Sequence, residues 1–298
     1  MRERPPGVTD ADILGAVRAH WDDGATTVEH VPLGFGAHHW WVGGLFVTLD
    51  LLGRRHTRET LENTYAAAVT LAARGLEFVL AGVPARGGTL TVPLGAAGAL
   101  SATPWRTGTP GDGSITDERA ATTAGFLDRL HATTPPAGLR GWRPLVGPDL
   151  ADDLAERTAH PWTGGAHGET ARLALRDHLA RVATWTADYH RLAATTDPAT
   201  WVPTHGEPDT GNQLATRDGV LIVDWESLML APAERDLRTL VDAGHPHPRA
   251  GDDLIALFDL EWRLDEVAQY ATWFEEPHGD TENDRIALGG LLGELSRA

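Results

Sequence analysis

Three oxygen-bearing side chains with the chemistry of a phosphoryl-transfer site lie close together in the stretch THGEPDTGNQLATRDGVLIVDWE, residues 204–226. Asn212 and Asp224 offer the hard oxygen ligands that Mg²⁺ prefers when it bridges nucleotide phosphates. A carboxylate at Glu207 can accept the proton of an attacking hydroxyl group. These residue types therefore indicate metal-assisted phosphoryl transfer to a hydroxyl.

The local sequence predicts how these side chains are positioned. Gly206 and Gly211 make the first part a polar, turn-rich loop, and the apolar run 220–223 comes just before Asp224. An apolar run bounded by turn signals predicts a buried strand, so Asp224 is expected where that strand leaves the core. The alternative is an ordinary hairpin with an exposed acidic loop, in which glycine, asparagine and aspartate are common residues.

The spacing is the specific part of the signal. HGE at 205–207 is followed after four residues by Asn212 and after eleven more by Asp224. This resembles the catalytic loop of aminoglycoside phosphotransferases and their choline-kinase and protein-kinase-like relatives, whose pattern is HGDxxxxN followed by IDW at a strand end. The resemblance covers nearly the whole chain in order. It implies an α+β, two-lobed protein-kinase-like fold, with an antiparallel sheet and a helix in a nucleotide-binding lobe at 1–104 and a mainly helical catalytic and substrate-binding lobe at 105–298.

The resemblance also implies roles for the loop residues. Glu207 is expected to be the catalytic base, His205 to brace the catalytic loop, and Asn212 and Asp224 to hold Mg²⁺. Glu207 stands where the family has aspartate; the two acidities differ by only about half a unit, so the base role is retained while its reach changes. A zinc-hydrolase cluster of His205, Glu207 and Asp224 is the alternative, and Asn212 and the lack of a second suitably spaced histidine disfavour it.

A strand is predicted at 26–33, and the glycine-rich segment LGFGAHHWWV begins at its end. Gly34, Phe35 and Gly36 are expected to cover a nucleotide, since backbone N–H groups approach phosphate only where no side chain intervenes. A plain hairpin turn is the alternative. His38 and His39 point to opposite faces of the next strand, so we expect one on the surface and one packed or beside phosphate, with no metal role.

All 25 basic residues are arginine, and lysine is absent. The strand predicted at 45–49 therefore lacks the lysine with which kinase-like folds orient the phosphates. Arg54 and Arg55 are the nearest cations, although a planar guanidinium is not equivalent to an ammonium group. Two interpretations stay open: the nucleotide is held differently, or nucleotide binding is impaired.

A Pro/Gly-rich segment after residue 103 marks the predicted lobe boundary. Three more strands are expected before it, at 76–80, 89–94 and 99–103. The resemblance implies that this connection binds adenine, with Ala102, Thr103 and Trp105 as the contacting residues. Trp105 either stacks on the base or packs between the lobes.

Helical patterns position the remaining elements. Helices are predicted at 9–21, 57–74 and 169–192. Ser114 and Asp117 form a predicted capping box, and His131 is expected to have no role beyond favouring a helix C-terminus. Asp236 is expected to be a buried, hydrogen-bonded acid that ties the catalytic loop to the helix behind it.

Composition bounds the class of protein and of partner. The net charge of −17 disfavours a nucleic-acid partner and is compatible with a cationic small-molecule substrate. The alternative is that the acidic residues only keep the protein soluble. With no cysteine, disulfides and thiolate sites are excluded. No signal peptide or run of about 20 apolar residues is visible, so we expect a cytoplasmic protein without a membrane partner. The sequence does not predict the oligomeric state.

The sequence as a whole predicts an enzyme that moves the γ-phosphoryl group of ATP or GTP, with Mg²⁺, to a hydroxyl of a small molecule. An aminoglycoside-like antibiotic is the expected acceptor, which would make the protein an antibiotic-resistance enzyme. The alternatives are a kinase for a sugar, a choline-like compound or a peptide antibiotic, and a non-catalytic binding protein on a kinase scaffold. The acidic C-terminal residues that could bind amines are Asp259, Glu261, Asp265, Glu266, Glu275 and Glu276.

Overall fold

The computed structural model describes residues 1–34, 36–53, 55–96 and 98–297. The predictions made for Phe35 and Arg54 lie outside these residues. The chain forms two compact units, Met1–Trp142 with Pro198–Ala250, and Arg143–Asp197 with Gly251–Ala298. The lobe boundary predicted between residues 104 and 105 lies inside the first unit, and that division of the chain stays a prediction.

A five-stranded antiparallel sheet forms part of the first unit, in the order β1-β2-β3-β5-β4. Its strands are β1 (Glu29–Val31), β2 (His38–Val42), β3 (Leu45–Asp50), β4 (Thr91–Leu94) and β5 (Gly98–Pro104). The β2–β3 register sets His39 opposite Thr48 and Trp40 opposite Val47. Successive residues of a strand point to opposite faces, so each pair belongs to one face of the sheet.

The helix α1 (Asp10–His20) packs on this sheet, and α2 (Arg58–Ala73) follows β3. Thr9 caps α1 through a capping box with Asp12, which satisfies backbone N–H groups that the first turn leaves free. Ile13 and Val17 of α1 lie in one buried cluster with core residues of the strands. The predicted helix at 9–21 is confirmed.

The rest of the first unit carries the loop that contains Glu207. Its elements are β6 (Thr109–Pro110), α3 (Asp117–His131), β7 (Val202–Thr204), β8 (Gln213–Thr216), β9 (Gly219–Ile222), β10 (Met229–Ala231) and α6 (Glu234–Asp242). β8 and β9 form a hairpin, and β7 pairs with β10. The loop runs from the end of β7 to the start of β8, and Asp224 follows β9 as predicted.

The second unit consists of helices in the described part of the chain. They are α4 (Leu150–Arg157), α5 (Gly168–Ala193), α7 (Asp252–Glu275) and α8 (Glu282–Ser296). Tyr189 of α5 donates a 2.5 Å hydrogen bond to Glu261 of α7, and both are buried. Among the described residues, no helix has the length and apolar character needed to cross a bilayer.

Two local predictions are wrong. Residues 76–80 do not form a strand of the large sheet; Val79 instead makes an isolated parallel bridge with Ile222 of β9, whose backbone takes the available hydrogen bonds. Ser114 does not cap α3, because its hydroxyl donates to Asp112 while Thr116 accepts the backbone N–H of Arg119.

Candidate functional site

A pocket of about 350 Å³ lies in the first unit. His39, Phe46 and Thr48 line it from the large sheet, and Asn212 and Asp224 line it from the region around the β8–β9 hairpin. The two residues predicted to bind Mg²⁺ therefore reach the same cavity. The sheet residues give that cavity an aromatic wall next to its acidic end.

Only some of the residues predicted to bind nucleotide line the pocket. Gly34, Thr103 and Trp105 line the pocket, whereas Gly36 does not. Gly34 has φ +66°, a conformation that glycine adopts without the strain a side chain would bring, and it lines the cavity. Trp105 is 41% exposed and its ring lies 6.1 Å from Phe46. Of the two alternatives for Trp105, this position suits a stacking surface.

Ala102 lies outside the pocket lining. Its side chain is buried in the core cluster, and its carbonyl oxygen accepts the N–H of Val83 at 2.7 Å. Neighbouring residues of β5 face opposite sides of the sheet, so Thr103 and Ala102 cannot both face the cavity. The carbonyl of Ala102 is already used within the fold, which leaves Thr103 and Trp105 as the candidates in this segment.

His205 holds the loop together from inside. It is fully buried, and its Nδ1 accepts the N–H of Glu207 at 3.2 Å. The ring proton is therefore on Nε2, which donates to the carbonyl of Val223 at 2.8 Å. Burial lowers the pKa of His205, so the ring is neutral. Both nitrogens are occupied, and His205 acts by positioning the loop.

Asp236 of α6 anchors the same loop. Its Oδ1 accepts the N–H of Gly206 at 2.6 Å, and its Oδ2 accepts the N–H of His205 at 3.0 Å and a hydrogen bond from His131 Nε2 at 2.9 Å. Burial alone would raise the pKa of Asp236, but the hydrogen bond from His131, together with Arg235 and the N–H of Gly206, lowers it below its ordinary value. The predicted buried, hydrogen-bonded acid is confirmed.

Gly206 makes this anchoring possible. Its φ is +103°, and a Cβ there would overlap the guanidinium group of Arg235. Arg235 in turn donates to the hydroxyl of Thr204 at 3.1 Å. The backbone can approach both Arg235 and Asp236 only because position 206 has no side chain.

Asn212 is fixed by its own amide. Its Nδ2 donates to the carbonyl of Glu207 at 2.9 Å, so its Oδ1 is the atom that remains to accept a ligand. Asp209 caps the short 3-10 turn by accepting the N–H groups of Gly211 at 2.6 Å and Asn212 at 3.3 Å. The Val223 N–H binds the backbone carbonyl of Asn212 at 3.0 Å. These contacts tie the turn to the end of β9, just before Asp224.

Asp224 adopts the left-handed backbone conformation, with φ 66° and ψ 61°. It is the non-glycine residue with positive φ in the described part of the chain. Aspartate tolerates this region better than most residues, and such strain costs on the order of 1–3 kcal/mol. The turn lifts the carboxylate out of the buried strand and exposes it to the pocket.

The carboxyl groups of Asp50, Glu207 and Glu226 each lie within the electrostatic influence of Asp224. Burial is the main cause that raises the pKa of Asp50 to about 7 and of Glu207 to about 7, and the charge of Asp224 adds to both shifts. Burial and Asp224 also raise the pKa of Glu226 far above its ordinary value. A bound cation would relieve this repulsion.

The donor set fits Mg²⁺ better than a metal held by protein alone. Within residues 1–34, 36–53, 55–96 and 98–297, no group of three or more histidine, aspartate or glutamate side chains is arranged to hold a metal ion. Mg²⁺ commonly takes one or two protein oxygens and completes its shell with phosphates and water. Asn212 and Asp224 provide two such oxygens at one cavity.

Neither of the adjacent histidines is a surface residue, contrary to the expectation for one of them. His38 is 4% exposed and its Nδ1 lies 3.0 Å from the carbonyl of Glu3. His39 lines the pocket, with Nδ1 3.1 Å from the Thr48 hydroxyl and its ring stacked on Phe46 at 5.0 Å. Burial lowers the pKa of His39 to about 4, opposed by the charge of Asp224.

Sequence reasoning missed two residues of this region. His131 is buried and binds Asp236, so its assignment to a helix-dipole role alone is wrong. Asp50 is buried, accepts a 2.9 Å hydrogen bond from Tyr65, and feels the charge of Asp224. A charged residue ending the apolar run LFVTLD was the available signal for Asp50. The contact of His131 spans 105 residues, and no local pattern reports it.

Residues 27–277 match the model of the phosphotransferase enzyme family, APH. The chain belongs to this family. It is also 29% identical over 278 residues to Protein StrN of Streptomyces griseus, a match that spans 87% of this chain and 83% of that protein. The predicted family is thereby confirmed, and the chain is a member of a family of phosphotransferases.

Solved structures of other phosphotransferases and kinases share the fold. Spectinomycin phosphotransferase with ADP and spectinomycin superposes with a TM-score of 0.72 at 14% identity, over 98% of this chain and 96% of that one. The GDP complex of aminoglycoside 2'-phosphotransferase-IIIa gives 0.56 at 14% identity, over 97% and 99%. A microcompartment-associated aminopropanol kinase gives 0.63 at 16% identity, over 96% and 95%. The predicted α+β, kinase-like fold is confirmed.

Proposed function

We propose that this phosphotransferase moves the γ-phosphoryl group of ATP or GTP to a hydroxyl group of a small cationic molecule, an aminoglycoside-like antibiotic. The observation that carries the proposal is that Asn212 and Asp224 meet at one pocket, next to a loop that presents Glu207. Oxygen ligands and an aromatic wall at one cavity, with a carboxylate on the adjoining loop, are the parts that phosphoryl transfer to a hydroxyl requires. Glu207 itself is not among the residues that line the pocket.

Glu207 is the proposed base. Its backbone is held from both sides, by the His205 ring on the N–H and by the Asn212 amide on the carbonyl. The carboxylate takes the proton of the acceptor hydroxyl while the oxygen forms its bond to the γ-phosphorus and the bond to the β-phosphate oxygen breaks. A pKa of about 7 leaves a substantial ionised fraction at neutral pH.

Asn212 and Asp224 are the proposed ligands of Mg²⁺, through Oδ1 of Asn212 and the carboxylate of Asp224. The bound metal would neutralise charge on the phosphates as they are transferred. The strained backbone of Asp224 supports this role, because strain is retained where the surrounding structure fixes a residue for function. No other residue is needed for the metal when the nucleotide supplies phosphate oxygens.

The base of the nucleotide is assigned to the aromatic end of the pocket. Phe46 and Trp105 line the cavity 6.1 Å apart, and Thr103 lies beside them on the pocket wall. Flat aromatic rings stack on a purine irrespective of its hydrogen-bonding edge. Both ATP and GTP are therefore candidates, and the fold relatives named above were solved with ADP or GDP.

The cationic acceptor is supported by charge. The whole chain carries −17, which attracts polyamines at low ionic strength. Of the C-terminal acids considered as amine ligands, Glu261 and Asp265 are buried, and Glu275 pairs with Arg157 at 2.7 Å. Asp259 pairs with Arg263 at 3.2 Å. The overall field is therefore the stronger argument for a cation than any one of these residues.

The direct test is Mg²⁺-dependent release of ADP or GDP in the presence of candidate acceptors. The acceptor panel contains spectinomycin, kanamycin and other aminoglycosides, aminopropanol, choline and an uncharged sugar. We expect one cationic hydroxyl compound to stimulate release well above the rate in its absence. Asp224→Asn should abolish the stimulation, while the exposed hairpin-turn variant Asp218→Asn should retain it.

Two outcomes would contradict the proposal. Stimulation by an uncharged sugar alone would replace the cationic acceptor with another substrate class. Absence of release with every acceptor, together with no change in the melting temperature on adding MgATP or MgGTP, would favour a non-catalytic protein on a kinase scaffold.

A further inference from the structure

The pocket has an ordered series of rings from its aromatic end to its acidic end. The ring of Trp105 lies 6.1 Å from that of Phe46, and Phe46 stacks on His39 at 5.0 Å with 25° between the ring planes. The charge of Asp224 acts on His39 in turn. His39 therefore lies between the surface suited to a purine and the carboxylate suited to a metal.

A nucleotide lying along this series would place its phosphate chain beside His39. That position needs hydrogen-bond donors, because phosphate oxygens are strong acceptors and Asp224 repels them. The chain has no lysine to supply an ammonium group. Among the described pocket-lining residues, His39 and Arg106 carry basic side chains, and Arg106 is exposed beside Trp105.

The imidazole of His39 is oriented so that one nitrogen is available to the cavity. Nδ1 is held at 3.1 Å from the Thr48 hydroxyl, on the facing position of β3. Nε2 lies beside Gly34, where an added Cβ would be 3.5 Å from it. A threonine hydroxyl can donate to Nδ1, which leaves the proton of a neutral ring on Nε2.

We propose that His39 binds the phosphate chain of the nucleotide, donating a hydrogen bond from Nε2 beside Gly34. The Thr48 hydroxyl orients the imidazole ring of His39. Phe46 stacks against that ring and, with Trp105, forms the aromatic surface proposed to bind the nucleotide base. This assignment rests on the proposed function, since it requires that the pocket binds a nucleoside triphosphate. It explains how a lysine-free member of the family holds the phosphates.

The test is a series of ligands that differ only in phosphate number. Dissociation constants are measured by calorimetry for adenosine, AMP, ADP and ATP, and for the guanosine series, at constant Mg²⁺. In the wild-type protein, affinity should rise with each phosphate. In His39→Leu, we expect adenosine to bind within about twofold of wild type, while ADP and ATP bind about 10-fold to 100-fold more weakly, as for one hydrogen bond to a charged group.

The neighbouring histidine supplies a matched control. His38 lies on the opposite face of the same strand and outside the pocket lining, so His38→Leu repeats the substitution without touching the cavity. It should leave the whole affinity series unchanged. A second variant, His39→Phe, keeps a ring that can stack on Phe46 but has no hydrogen-bond donor. If His39→Leu does not fold, the same ligands are measured with His39→Phe.

Each result has one meaning. Unchanged ADP and ATP affinity in either folded His39 variant overturns the proposal and leaves the proposed function standing. An equal loss for adenosine and ATP also overturns it, because His39 would then shape the cavity without contacting phosphate. Wild-type protein that binds no nucleotide at all would defeat the proposed function itself, and the inference with it.

Discussion

Glu207 is one methylene longer than the aspartate of the family pattern, and the surrounding loop determines what that difference does. His205 and Asn212 fix the backbone of Glu207, so the extra methylene moves only the carboxylate, which reaches further from the loop than an aspartate would. Burial, with the charge of Asp224, raises the pKa of Glu207 to about 7. A base with a pKa near the working pH combines adequate ionisation with adequate proton affinity.

Replacing Glu207 tests the base directly. Glu207→Gln should lower kcat by about 10²-fold to 10⁴-fold, because the amide cannot accept the hydroxyl proton. In the wild type, kcat should rise with pH through about 7 and then level off, since the ionised form is the active one. Steady-state kinetics from pH 5.5 to 9 measures both effects. Glu207→Gln with full turnover, or a wild-type rate that falls over this range, would contradict the assignment.

At the scale of elements, the loop after β7 is held by two helices that come from distant parts of the sequence. Asp236 at the start of α6 binds the backbone of His205 and Gly206, and His131 at the end of α3 binds Asp236. Arg249 donates to the other nitrogen of His131 at 3.3 Å. The position of Glu207 therefore depends on contacts made well outside the catalytic stretch.

His131→Leu should weaken this support. It removes a donor to a buried carboxylate, and we expect a loss of about 1–3 kcal/mol in the free energy of unfolding. The kcat should also fall, because the loop loses part of its anchor. Urea unfolding and kinetics measure the two effects, with the exposed His160→Leu as control. Equal stability of His131→Leu and wild type would show that the remaining backbone donors suffice for Asp236.

Gly206→Ala should lower the free energy of unfolding more than an alanine substitution at another glycine with positive φ. The new methyl group would overlap Arg235, in addition to the backbone strain at φ +103°. Gly219→Ala is the matched control, because its φ is +131° and a methyl group there meets nothing within 4 Å. We expect Gly206→Ala to lose stability beyond the control and to lower kcat. Adding Arg235→Ala should recover part of the excess; no recovery would exclude the steric explanation.

At the scale of the whole molecule, the buried carboxyl group of Asp50 makes stability depend on pH. Asp50 has its pKa raised from 3.8 to about 7 in the folded protein, chiefly by burial. The folded state therefore binds more protons than the unfolded state between these values. Its contribution to stability is present below about 3.8 and is lost as the pH rises through about 7.

Asp50→Asn isolates that contribution, since the amide keeps the shape and an acceptor for Tyr65 without titrating. As pH rises from 5 to 8, the free energy of unfolding of the variant should improve relative to wild type. Urea unfolding at several pH values measures the difference, and the exposed Asp177→Asn should show no such trend. A difference that stays constant with pH would mean that Asp50 remains ionised throughout.

Some features were decided by residues close together in the chain. The cap at Thr9, the strand before Asp224 and the turn at Asn212 follow from local hydrogen bonding and from apolar runs, which adjacent residues determine. The spacing from Glu207 to Asp224 belongs to the same class. This is why the family and fold could be predicted from the sequence.

Other features were decided only by the tertiary structure. His39 lines the pocket because the β2–β3 register sets it opposite Thr48. Ala102 faces the core and not the pocket, because alternate residues of β5 point to opposite faces of the sheet. The pair of His131 and Asp236 joins positions 105 residues apart. Local patterns specify which element forms, but contacts and pKa values depend on which distant groups are buried together, and packing alone determines that.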